Sequence, residues 1–146
     1  MNLTTSFTLQ EFIHPDIYKA IGDMAKNALH PNLAPTCQVI KDACTNLLGH
    51  EETVTINNWS FGGKFVDSGL RLPNGDVGAK FSAHKFGYGA DLKFKHMSSI
   101  DVQDYIIANQ SDFPYISRME NARITKTWLH IEVGDYRAGD IIVFNP

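Results

Sequence analysis

Two short stretches hold the residue types from which a reactive centre can be assembled. They are Ser82-Ala83-His84-Lys85-Phe86-Gly87-Tyr88-Gly89-Ala90-Asp91 and Trp128-Leu129-His130-Ile131-Glu132. In a strand over Ala90–Lys95, Ala90, Leu92 and Phe94 form an apolar face and leave Asp91 on the opposite one. In a strand over Thr127–Val133, Leu129, Ile131 and Val133 are apolar, and Trp128, His130 and Glu132 lie on the other side. If the two strands pair, Asp91 and His130 project together from the side away from the core. His84 precedes Gly87 and Gly89, whose permissive backbone can fold the chain back over the strand. Two imidazoles and one carboxylate then meet at one point. A hydrolytic zinc needs such an N/N/O donor set with an open fourth position; the metal eases deprotonation of its water and polarises a carbonyl. The alternative is a core histidine, a turn aspartate and a strand histidine that never meet, since six histidines make three ligand types easy to find.

The elements that must position these residues read as helices first and strands later. Thr8–Phe12 has the look of a short capped turn. Pro15 opens a helix to about Leu29, with Ile17, Ile21, Met24, Ala25 and Leu29 near helical spacing. Pro35 starts a second, with Cys37, Ile40, Ala43, Cys44, Leu47 and Leu48 on one side, and Gly49 stops it. Val54–Trp59 predicts a strand. Ser60–Gly89 is a glycine-rich stretch with a turn at Pro73-Asn74-Gly75-Asp76, and a loop of that length inside a domain is usually functional. Ser98 or Ser99 caps a helix to about Gln110, and Asp140–Phe144 is a final strand. The expectation is a single α+β domain over 1–146. Its small antiparallel or mixed sheet has N-terminal helices packed on one face and the zinc site on the other.

Composition removes several classes. With 146 residues, 43% hydrophobic and 20% charged, the chain is an ordinary globular one. Thirteen Lys+Arg against 16 Asp+Glu give a net charge of −3, the wrong sign for a nucleic-acid binder. No apolar run reaches the roughly 20 residues of a membrane span. Met1–Gln10 lacks a basic stretch followed by an apolar core, which predicts cytoplasmic synthesis without an export signal. Cys37 and Cys44, seven apart on a helix and so about 10 Å from each other, read as reduced core thiols. His14, His30, His50 and His96 sit beside prolines, glycine or helix ends and read as caps and loops. Lys93, Lys95 and His96 form a small basic edge, either a solvated strand face or a contact for an anionic polymer. Trp59, Phe61, Phe65, Phe81 and Phe86 flank the glycine loop, some as core and one or two as cleft walls.

Ser82, His84, Gly87 and Ala90-Asp91, followed far downstream by Trp128 and His130, resemble the motif of zinc peptidases of the D-alanyl-D-alanine carboxypeptidase type. That family includes phage endolysins and murein endopeptidases that cut peptidoglycan stem peptides, and it shares a fold with the hedgehog signalling domain. Ser6–Phe12 is similar to the family's N-terminal entry, and Ser68-Gly69-Leu70-Arg71 to its Ser-Gly-Tyr-Arg segment. The resemblance implies Zn²⁺ held by His84, Asp91 and His130, with Arg71 meeting a substrate carboxylate or the developing oxyanion. Many members carry an acidic residue three before the last histidine, where this chain has Thr127; others have a histidine two before it, here Trp128. The general base is then Glu120, in a segment Arg118–Asn121 that can pair as a hairpin, or Glu132, which shares the face of His130. Glu120 is preferred, since Glu132 can instead brace a ligand from behind.

The implied activity is hydrolysis of peptidoglycan stem peptides, either trimming D-Ala-D-Ala or cutting between L-Ala and D-Glu. The enzyme would be phage-encoded and would reach the wall through a holin or as part of a virion. Thr127 also motivates an alternative, a non-enzymatic zinc-binding or wall-binding virion protein that keeps the fold without the base.

Overall fold

Five strands form one mixed sheet in the computed structural model, which describes residues 1–146. They are β1 (Val54–Thr55), β2 (Gly89–Phe94), β3 (Ile116–Glu120), β4 (Leu129–Val133) and β5 (Ile142–Phe144), ordered β1-β2-β4-β3-β5. All neighbours are antiparallel except β3 and β5. The register sets Asp91 opposite His130 and Arg118 opposite Glu132. Because strand side chains alternate, the expected polar residues share one face.

The other face carries the core. Ala90, Leu92, Met119, Leu129 and Ile131 are fully buried there, each larger one contributing about 1.5–3 kcal/mol. They pack on α2 (Leu33–Leu48) through Cys37, Ile40 and Cys44, and on α3 (Ser99–Ala108) through Val102 and Ile106. The fold is α+β, as expected. Gly49 ends α2 in the left-handed region at φ +74°, and Ser98 Oγ accepts the Asp101 N–H at 3.0 Å to start α3. Leu47, counted with the core stripe, is half exposed.

Three expectations change. The helix from Pro15 is α1 (Pro15–Ile21), capped by His14 Nδ1 on the Asp16 N–H at 3.1 Å, and Gly22 at φ +56° converts the rest into a tighter 3₁₀ turn, Gly22–Ala28. Ile21 and Met24 consequently face solvent, while Ala25 joins Leu9, Ile13 and Leu70 in a second small cluster. The strand from Val54 ends at Thr55, because the next residues bracket the long loop instead of extending a ladder. Asn57 Oδ1 accepts the Ser68 N–H at 2.8 Å, Asn58 Oδ1 the Phe65 N–H at 2.9 Å, and Trp59 Nε1 donates to the Ile13 carbonyl at 2.9 Å. Finally, Ile116–Glu120 is a full strand. It pairs with β4 as the hairpin reading required, but through a short helix, α4 (Ala122–Thr125), capped by Asn121.

No helix is long and apolar enough to cross a membrane. Cys37 and Cys44 are free and buried, and burial raises both thiols, Cys44 to about 11, so neither is a nucleophile.

Candidate metal centre

Two of the donor residues stand on the sheet and the third on the loop. Asp91 and His130 are cross-strand partners on β2 and β4. His84 sits in a 3₁₀ turn, Ala83–Phe86, closed by Gly87 at φ +77°. A Cβ on Gly87 would run into the Ala28 carbonyl, so both the turn and the close approach demand glycine. A Cβ on Gly69 would likewise run into the Phe12 backbone. The Gly69 carbonyl lies 2.9 Å from His84 Nδ1.

The three side chains converge. His84 Nε2 lies 3.1 Å from His130 Nδ1 and 3.2 Å from Asp91 Oδ1, and His130 Nδ1 lies 2.8 Å from the same oxygen. Bonds of about 2.0–2.1 Å at tetrahedral angles hold donor atoms roughly 3.3–3.4 Å apart, so the triangle is only slightly tight. Both imidazoles are almost fully buried. His84, Asp91 and His130 together form a group that can hold a metal ion.

The outer ring nitrogens test that fit. A carbonyl only accepts, so His84 Nδ1 carries its proton toward Gly69 and Nε2 turns a lone pair inward. His130 Nε2 faces Glu132 Oε1 at 3.3 Å and donates to it, leaving the Nδ1 lone pair inward as well. With His130 neutral, the inward-facing atoms would be three lone-pair donors, and such a group calls for a cation among them. Without a metal ion, a proton on His130 meets that need. Burial alone would lower His130, but hydrogen bonds to Asp91 and Glu132 override it and push its pKa up to about 9. Burial raises Asp91, yet the two imidazoles hold it well below the usual carboxylate range. Glu132 is likewise lowered against its burial, by His130 and Arg118.

No family model, curated protein or solved structure matches the chain.

Arg71 adjoins the group. Its Nη2 pairs with Asp91 Oδ2 at 3.2 Å and its Nε donates to the Asp67 carbonyl at 2.6 Å, while Nη1 makes no hydrogen bond within the protein. The pair turns Asp91 Oδ1 toward the histidines. Glu132, besides holding His130, places Oε2 3.6 Å from Arg118 Nη1. Glu120, on the same face of β3 as Arg118, has no side-chain partner and lines the cavity of about 440 Å³ that the three donors also line. Thr127 stands outside that cavity, lining a larger neighbouring one, and Trp128 borders both.

Several contributors escaped the sequence reading. The Gly69 carbonyl carries no side-chain signal. Arg118, two before Glu120 and so on its face, stacks over Phe144 at 4.0 Å and closes one end of the cavity. None of the loop aromatics is in the core: Phe61, Phe81 and Phe86 are largely exposed, and Phe65 and Phe81 line cavities. The remaining histidines behave as caps and loop residues. His30 Nδ1 accepts the Asn32 N–H at 3.2 Å, and His96 leans on the Glu52 carboxylate at 3.1 Å.

Proposed function

We propose that this chain is a zinc metallopeptidase that hydrolyses peptidoglycan stem peptides, as a D-Ala-D-Ala carboxypeptidase or an L-Ala-D-Glu endopeptidase. The convergence of His84 Nε2, Asp91 Oδ1 and His130 Nδ1, with the outer nitrogen of each ring set against an oxygen acceptor, carries the reading. The substrate class comes from the motif resemblance. Two imidazoles and one carboxylate beside an open cavity suit zinc in its hydrolytic role, where it acidifies water and polarises a carbonyl.

The protein's own groups then divide the work. Gly69, Glu132 and Arg71 fix the orientation of the three ligands. The unpartnered Glu120 carboxylate takes a proton from the attacking water and returns it to the leaving amine nitrogen. The free Nη1 edge of Arg71 donates to the substrate carboxylate or to the oxygen that gains charge. Access to the wall would come through a holin or from a place in a virion.

Purified protein should contain one zinc per chain by elemental analysis and release peptides from sacculi, and His84→Ala should abolish both. Sacculus cleavage that persists in His84→Ala rejects the proposal. A second reading, a zinc-bound module without turnover, is favoured by Thr127 at the family's acidic position. Zinc at one per chain with intact sacculi selects it.

A further inference from the structure

The larger cavity, about 770 Å³, lies against the outer face of β1 and β2, and Arg71, Asp91 and Trp128 line both it and the cavity beside the metal group. Strand parity sends Lys93 and Lys95 to this face with Asp91, and Lys64 enters from the glycine loop. Lys41 is the one lysine in the chain that forms a carboxylate ion pair, so these three ammonium groups line the cavity without an ion-pair partner. Two acids share the wall: Asp91 is held by Arg71 and the histidines, and Asp67 lies 3.9 Å from His14 Nε2, so the cavity's three lysines and Arg71 outnumber its carboxylates.

Lys93 is fixed in place. Its Nζ donates to Ser68 Oγ at 2.8 Å and to the Asp91 carbonyl at 3.3 Å, and it sits 4.5 Å over the Phe65 ring. A half-buried ammonium with no direct ion-pair partner is a poor arrangement for folding alone, and it is suited to a ligand anion. Two residues along a strand is about 6.6 Å, so Lys93 lies within one or two peptide units of the metal group.

We propose that Lys93, flanked by Lys64 and Lys95, is a carboxylate-binding subsite that seats an acidic residue of the substrate peptide next to the bond being cut. It rests on the peptidase reading above and deepens it. Among stem peptides the α-carboxylate of D-Glu, adjacent to the L-Ala–D-Glu bond, has the required charge and place.

The test is calorimetric titration of zinc-loaded protein carrying Glu120→Gln, whose turnover is suppressed, with the tetrapeptide L-Ala-γ-D-Glu-L-Lys-D-Ala and with its form amidated at the D-Glu α-carboxyl, each Lys variant being made in the same background. The free acid should bind at least tenfold tighter. Lys93→Met should shrink that ratio below twofold, Lys93→Arg should keep most of it, and Lys95→Gln should reduce it about threefold. Equal binding of the two peptides, or full discrimination by Lys93→Met, overturns the subsite and leaves the peptidase reading standing. If neither peptide binds while zinc is still taken up at one per chain, the subsite and the cell-wall reading fall together.

Discussion

Glu132→Gln offers the sharpest separation of the two acidic side chains beside the metal group. Glutamine keeps the size and an acceptor oxygen but removes the charge that holds the His130 Nε2 proton across 3.3 Å and meets Arg118 at 3.6 Å. Partners of this kind typically contribute 10–100-fold to metal affinity, or about 1.4–2.7 kcal/mol. The variant should therefore bind zinc 10–100-fold more weakly at pH 7 in competition with a chelator, and regain peptide cleavage at saturating zinc. Glu120→Gln should do the reverse. Its carboxylate touches no ligand, so zinc affinity should stay within threefold, while turnover of sacculi at saturating zinc should fall by about 10²–10⁴. A crossed result, with Glu132→Gln binding zinc normally yet inactive and Glu120→Gln losing metal, would refute the assignment of roles. Normal affinity in both variants would show that the His130–Glu132 contact does not tune the ligand.

Zinc uptake at pH 7 should release about one proton, because His130 is held at about 9 and must lose its extra proton to become a ligand. Calorimetry in buffers of different ionisation heat reads this directly, and affinity should climb about tenfold per pH unit to pH 8 and flatten above 9; no proton release would contradict the raised His130 pKa. Glu52, fully buried, accepts N–H bonds from Thr53, Lys95, His96 and Met97 at 2.8–3.2 Å, and these lower its pKa against the raising effect of burial. Its stabilisation is therefore present above the unfolded value near 4.5 and is lost as pH falls through the folded one. Glu52→Gln should cost about 2–3 kcal/mol in a denaturant melt at pH 7 and flatten the acid side of the stability profile. Gly87→Ala should cost at least about 1–3 kcal/mol for its positive φ, more from the Ala28 carbonyl, and should weaken zinc binding by displacing His84; an unchanged melt would remove the geometric reason for this glycine.

The donor set was legible because it rests on the simplest regularity a strand has. Ala90-Asp91-Leu92 and Leu129-His130-Ile131 alternate cleanly, and alternation alone puts Asp91 and His130 on one face. The caps Ser98 and Gly49 likewise fixed the start of α3 and the end of α2. Strand β3 was harder. Ile116-Ser117-Arg118-Met119-Glu120 has little apolar alternation, and half of its ladder comes from β5, more than twenty residues downstream and parallel. Asn57 and Asn58 looked like strand residues, yet amide side chains can satisfy backbone groups of another segment, and here they pin the loop. The division of labour between Glu120 and Glu132 was open because it depends on which imidazole nitrogen points inward, something residue identity does not encode.

That last point explains why the two histidines use different atoms. Nδ1 is the ring nitrogen nearer the backbone, so a histidine directly across from Asp91 on an adjacent strand reaches the shared centre with Nδ1 and turns Nε2 along the face to Glu132, two residues on. His84 reaches in from a loop and needs its longer arm, Nε2, with Nδ1 turned back to the loop's own Gly69 carbonyl. Each ligand is thus braced by its own element, two on a rigid sheet and one on a segment held by side-chain amides and two crowded glycines. A cation at the centre would bind all three donors at once and cross-link loop to sheet, whereas a proton on His130 Nδ1 lies nearest Asp91, at 2.8 Å, and farther from the loop's His84 Nε2, at 3.1 Å. Metal removal should therefore act mainly on residues 68–87, whose amide exchange would rise while that of β2 and β4 holds.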